Sequence, residues 1–193
     1  MLKVVNPGDG ILFMKVGTHA QESLDDIIAR KSKEIADAGF AMWGYGGNTC
    51  HPTSMVQPFA EQFSANGRKV LLCMEPMESN HFAAPKSAAQ YSSDGQVWTD
   101  IPEGISVRGS RWALLINSLE AKKFTLPLNQ TRVPVGPSRG RLGGRYIRGR
   151  VDKACLEVLP HPELTNEAEP RELEIGLVAE LIDPYSVFLR GER

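Results

Sequence analysis

Gly10-Ile11-Leu12-Phe13-Met14-Lys15-Val16 is a short apolar run set directly behind the turn residues Asn6-Pro7-Gly8-Asp9. A run of this length bounded by turn chemistry reads as a buried strand. A helix follows it. Ser23 stands at the N-cap position with Asp26 three residues on, an approximate capping box. Leu24, Ile27, Ile28, Ile35 and Ala38 then recur near helical spacing until Gly39 supplies the stop. Asp26 and Arg30 have the spacing of a favourable i,i+4 pair.

Further along, Pro58 suits a first helical position, Phe59, Ala60 and Phe63 share one side, and Asn66-Gly67 close the helix. Val70-Leu71-Leu72-Cys73-Met74 fits a central strand, and Trp112-Ala113-Leu114-Leu115-Ile116 another. Phe124-Thr125-Leu126-Pro127-Leu128 reads as a short edge strand, since proline cannot donate to a ladder. Residues 145–158 hold two strands or one bent one, marked by Gly149. Residues 175–182 and 186–190, separated by Asp183-Pro184, read as a closing hairpin. The polar stretch 76–110 is longer than an ordinary connection, and 160–174 is an acidic, proline-punctuated loop. The order of strand, helix, helix and many strands predicts an α+β fold, a β-rich curled sheet or small barrel with two or more flanking helices. A single domain over residues 1–193 is expected.

The 193 residues are 41% hydrophobic and 23% charged, ordinary globular usage that excludes a disordered or fibrous chain. Met1–Val5 is too short for a signal peptide and no stretch approaches a membrane span, so no membrane association is expected. Three widely spaced cysteines, Cys50, Cys73 and Cys155, suit a reducing, cytoplasmic setting better than a disulfide framework. Net charge is −1, yet Ala121–Val151 holds no acidic residue and carries a formal +8, leaving −9 on the remainder. Such a block points to an anionic partner or to a basic face that meets acidic protein surface.

Four features bear on chemistry. In Trp43-Gly44-Tyr45-Gly46-Gly47-Asn48-Thr49-Cys50-His51-Pro52, two aromatics spaced by glycines either present ring faces to a flat ligand or alternate along a strand and fill the core. Cys50 precedes the Pro58 helix, where a thiol can become nucleophilic with His19, His51, His81 or His161 as base; the alternative is a small buried apolar residue. No spacing of His and Cys matches a zinc motif, and no metal or cofactor is expected. Residues 136–150 interleave glycines with Arg139, Arg141, Arg145, Arg148 and Arg150. Exposed backbone N–H groups can form an anion-binding nest, arginine forks match phosphate oxygens, and Tyr146 offers a stacking surface. The segment is not a P-loop, because the Gly-Lys-Ser/Thr ending is absent.

Asn6-Pro7-Gly8-Asp9-Gly10-Ile11-Leu12-Phe13-Met14, with the later Trp112–Ile116 and Phe124–Leu128 strands, resembles the PUA-like β-barrel domains of the EVE and ASCH groups. The resemblance covers about a quarter of the chain. It implies a small barrel with flanking helices that binds RNA, modified DNA or a nucleotide in a pocket. The Gly-x-Lys-x-x-Glu-x-Arg signature of the ASCH group is absent, so no family site residue is carried over.

The leading expectation is therefore a module for RNA, DNA or a nucleotide. Trp43 and Tyr45 would stack a base while Arg139, Arg141, Arg145 and Arg148 hold phosphates, with Asn48, Ser138 and Tyr146 as further ligand-binding candidates. The rivals are a small enzyme with Cys50 as nucleophile or with a phosphorylated substrate, and a homo-oligomerising interaction subunit whose basic loop meets the acidic segment of a second copy.

Overall fold

The structure, a computed structural model, describes residues 4–79, 83–165 and 171–191. Its first strand, β1 (Gly10–Val16), lies inside a nine-stranded mixed sheet and alternates cleanly. Leu12, Met14 and Val16 enter a core on one face, Ile11 and Phe13 a second core on the other. Both faces are covered, which is why the run is apolar almost without interruption. β3 (Val70–Pro76) lies parallel to it on one side and β8 (Lys153–Val158) antiparallel on the other.

α1 (Leu24–Ala38) begins as expected. The Ser23 hydroxyl accepts from the Asp26 backbone N–H, and Gly39 ends the helix at φ 85°, its N–H donating to Ile35 O. The Arg30 pairing differs from the sequence expectation. Asp26 is held by the Ser23 hydroxyl, and Arg30 reaches Glu22 and Glu34 instead. α2 (Gln57–Ala65) is preceded by a π-helical turn at Pro52–Val56, and its Phe59, Ala60 and Phe63 join the first core.

The strand order is β2-β6-β9-β3-β1-β8-β7, where β2 is Ala41–Tyr45, β6 Trp112–Pro127, β7 Thr131–Arg132 and β9 Glu172–Gly191. β4 (Ala88–Ser92) pairs with β9 and with β5 (Thr99–Asp100). The sheet is open rather than closed into a barrel, but it curls. Tyr45 at one edge comes under Lys153 of β8, with the Nζ 5.5 Å from the ring centroid.

Three local expectations are corrected. Trp112–Ile116 and Phe124–Leu126 are two ends of one strand, β6, whose polar middle pairs with β9. Residues 175–182 and 186–190 do not form a hairpin; they are successive halves of β9. The register jump from Leu114↔Ser186 to Ile116↔Leu181 places Asp183-Pro184 in a bulge, where a missing N–H costs no ladder bond. Residues 145–158 hold one short helix, α3 (Gly143–Tyr146), and one strand, β8. Within 76–110, the β4–β5 hairpin covers a third core with Ile105 and Val107.

Phe13 is fully enclosed in the second core beside Ile11, Cys73 and Leu156. Phe13→Ala is expected to lower the free energy of unfolding by about 3–5 kcal/mol, read from urea denaturation. A loss below about 1 kcal/mol would mean that this face is not packed as described.

A candidate binding cleft

The curl of the sheet opens a cleft of about 420 Å³ at the carboxyl ends of β1, β2 and β3. Strand ends of this kind are where open sheets with crossover connections bind ligands, and the size suits a nucleotide-sized molecule. β1 and its continuation supply Met14, Lys15, Val16 and His19, and β2 and its continuation supply Trp43, Gly44, Gly46 and Asn48. α1 supplies Ile27, Arg30 and Lys31. The remaining wall comes from Met77 and Ser79, from Val107, Arg108 and Ser110, and from Asp152 and Lys153 at the start of β8.

Helix α1 carries the electrostatics. Its buried residues are Ile27, Lys31 and Glu34, so two of the three are charged. Lys31 is 2% exposed. Its ammonium donates to Glu34 Oε2 at 3.0 Å and to the Ser106 carbonyl at 2.6 Å. Arg30 donates to that same carbonyl at 2.7 Å and to Glu22 Oε1 at 2.6 Å, and Arg108 closes on the other oxygen of Glu22. Glu34 accepts the Ser106 N–H at 3.1 Å. The segment 106–108 is thereby bolted to the helix, and its neighbours Val107 and Ser110 become cleft wall.

These contacts shift titrations. Burial pushes Lys31 down to about 8 against the pull of Glu34. The Arg30 hydrogen bond holds the Glu22 carboxyl below its ordinary range. At the far wall, burial works to raise Asp152, but the Thr49 hydroxyl at 2.8 Å and Lys153 at 3.2 Å outweigh it and leave that carboxyl lowered. Five cationic residues, Lys15, Arg30, Lys31, Arg108 and Lys153, are among those that line the cleft, with two carboxylates, Glu22 and Asp152, and with Glu34 behind Lys31. Among the described residues no cluster of three or more His, Cys, Asp or Glu is placed to hold a metal ion.

The residues singled out from sequence divide between two places. Trp43 and Asn48 line the cleft. Trp43 is 4% exposed, so only a small part of it meets the space. Tyr45 does not: its ring is fully buried, its hydroxyl donates to Cys50 O at 2.6 Å, and burial pushes its titration far upward. The alternation of a strand put it in the core, so it cannot stack a ligand. Gly44 has a packing reason, since a Cβ there would stand 2.6 Å from Ser110 Oγ. A Cβ on Gly46 would meet nothing, because it faces the open cleft.

Ser138, Arg139, Arg141, Arg145, Tyr146 and Arg148 do not line the cleft. Their segment is tied back by Gly140 N–H to Val133 O and by Arg171, which donates to the carbonyls of Gly144 and Ile147 at 2.6 Å. Arg139, Arg141, Arg145, Arg148 and Arg150 are exposed, while Tyr146 is half-buried against the second core. The segment runs directly into the cleft wall. Arg148 and Arg150 precede Asp152 by four and two residues, a backbone reach of at most about 14 and 7 Å.

Cys50 is buried with its Sγ 3.3 Å from Cys155 Sγ rather than aimed at a helix end. His51 Nδ1 accepts from the Thr53 N–H and its ring packs edge-on to Trp112, so it does not serve Cys50 as a base. His81 lies outside the described residues, as do residues 166–170 of the acidic segment; Glu163 of that segment pairs with Arg132. Among the described residues no helix is long and apolar enough to cross a membrane. No family model, curated protein or solved structure matches the chain.

Lys15, Arg30, Lys31, Arg108 and Lys153 escape the sequence reading because only the curl of the sheet unites them. One signal was available: a Lys–Glu pair at i,i+3 on the helix face that should be apolar.

Two outcomes follow from the buried pair. Glu34→Gln leaves the Lys31 charge without its counter-ion and is expected to cost about 3–5 kcal/mol in urea unfolding. Between pH 8 and 10.5 the unfolded chain holds the lysine proton and the folded chain does not, so this group adds stability as pH rises through that window. Lys31→Met should flatten the rise; an unchanged slope would show that burial does not lower the titration of Lys31.

Proposed function

We propose that the protein binds nucleotides and the unpaired bases of single-stranded RNA or DNA, with the base in the cleft and the phosphates along its cationic rim. One observation carries the reading: a nucleotide-sized cleft lined by the cationic residues Lys15, Arg30, Arg108 and Lys153 and by two carboxylates, with Lys31 buried behind them against Glu34. One of those carboxylates, Glu22, is already engaged by Arg30 and Arg108. Met14, Val16, Met77, Val107 and Trp43 offer an apolar wall for a flat ring. Lys15 is exposed at the end of β1, at a position that shares a face with Ile11 and Phe13 rather than with Met14 and Val16, so it serves a phosphate at the rim of the cleft.

The arginine segment extends this rim. Arg148 and Arg150 stand close along the chain to Asp152, so a strand whose terminal base occupies the cleft continues over them. A mononucleotide uses the cleft alone; an oligonucleotide uses both. The PUA-like resemblance of Asn6–Met14 implies the same class of ligand, and that stretch leads into the strand whose end forms the cleft.

The test separates the two parts. Mononucleotides and fluorescently labelled single-stranded oligonucleotides are titrated at low and moderate salt, with tryptophan emission as a second readout. Lys15→Gln is expected to weaken both classes roughly 10-fold, the scale of one charge-assisted hydrogen bond. Arg148→Ala with Arg150→Ala should weaken only the oligonucleotide and reduce its salt dependence. Affinity indifferent to salt, or no binding of either class, would overturn the proposal.

A further inference from the structure

Behind the cleft wall lies a pair of thiols. Cys50 Sγ and Cys155 Sγ stand 3.3 Å apart although 105 residues separate them in sequence. They are 6% and 1% exposed. The backbone on each side is fixed. Cys155 sits mid-strand in β8 opposite Leu12 of β1. Cys50 turns the chain at φ 54°, and the Tyr45 hydroxyl holds its carbonyl. The Thr49–Asp152 hydrogen bond and the Lys153–Tyr45 contact stitch the same two segments together beside the sulfurs. Cys73, by contrast, lies in the second core, with burial pushing its thiol up to about 12.

We propose that Cys50 and Cys155 form a reversible dithiol–disulfide couple, an oxidation site that joins the two walls of the cleft. The oxidant is a hydroperoxide. The Cys50 thiolate attacks one peroxide oxygen, the O–O bond breaks, and the leaving oxygen takes a proton to depart as water or alcohol. The Cys155 sulfur then attacks the sulfur of the resulting sulfenic acid. The S–O bond breaks, the hydroxyl leaves with the Cys155 proton as water, and the S–S bond forms. The protein loses two electrons and two protons to the peroxide. A reducing dithiol reverses this by thiol–disulfide exchange and is itself left as a disulfide.

The roles follow from surroundings. Cys50 is the attacking sulfur because its hydrogen bond with Cys155 holds its thiol below the ordinary range, whereas burial pushes Cys155 well above it. Closing the bond needs roughly 1.3 Å of sulfur movement, from the present contact to the ordinary S–S length. The link would tie the loop that carries Asn48 to the strand start that carries Lys153, two residues from each sulfur.

The test treats the folded protein with hydrogen peroxide, blocks remaining thiols under denaturing conditions and weighs the product. Titratable thiols are expected to fall from the three of the sequence to one, Cys73. The product should carry one blocking group and otherwise weigh two hydrogens less than the reduced chain, with a peptide linking positions 50 and 155, and dithiothreitol should restore all thiols. Cys73→Ser leaves the reaction intact, and Cys155→Ser stops it at oxygen adducts of Cys50. Oxygen adducts on Cys50 in the wild type with Cys155 still free would overturn the proposal. So would links between chains, or a folded protein that keeps all its thiols. The wild-type and Cys73→Ser results decide the matter even if Cys155→Ser does not fold.

Discussion

The contact on which the cleft depends is the burial of the Lys31 ammonium against Glu34 and the Ser106 carbonyl. Removing such a pair from water is costly, and the cost is offset only when each hydrogen-bonding valence finds a partner. Here the partners are backbone groups of a segment that would otherwise be a free loop. Helix α1 therefore acts less as an apolar cover for the sheet than as a polar clamp on residues 106–108. With the clamp in place, Val107, Arg108 and Ser110 stand opposite β1 and β2, and the space between them is the cleft.

The curl of the sheet supplies the other half of the arrangement. A flat sheet in the order β2-β6-β9-β3-β1-β8-β7 would keep β2 and β8 apart with four strands between them. The register jump of β6 on β9 bends the sheet, and the Thr49–Asp152 and Lys153–Tyr45 contacts then join its two sides. Cations from β1, α1, the 106–110 segment and β8 gather as a result, and so do two thiols. Charge set by one geometric feature is available for an anionic ligand, and sulfur set by the same feature is available for oxidation.

The sequence made the short, self-contained elements legible. Gly10–Val16 and Val70–Met74 are apolar runs with clear ends, and α1 has a cap at each terminus. The long strands were not legible because β6 exposes Glu120 to Lys123 in its middle, where polar side chains interrupt the pattern. Asp183-Pro184 is a hairpin signal in isolation, yet it serves as a bulge because β6 is long enough to pair both halves of β9. At the site, Trp43 and Asn48 were legible from their aromatic and glycine setting, but which ring would be buried was not. Trp43 and Tyr45, two apart on β2, share a face and both enter the first core, Trp43 keeping 4% exposure beside the cleft and Tyr45 none. The arginine segment was legible as charge, and its connection to the cleft through Asp152 was a matter of tertiary structure.

The most direct measurement is photo-crosslinking of a single-stranded oligonucleotide carrying a thiolated base at its terminus, with the attachment points mapped by mass spectrometry. Attachment at Lys15, Trp43, Asn48 or Arg108 is the result the account predicts. Attachment confined to the basic surface around Lys122 and Lys123, with the cleft residues unmodified, would contradict it.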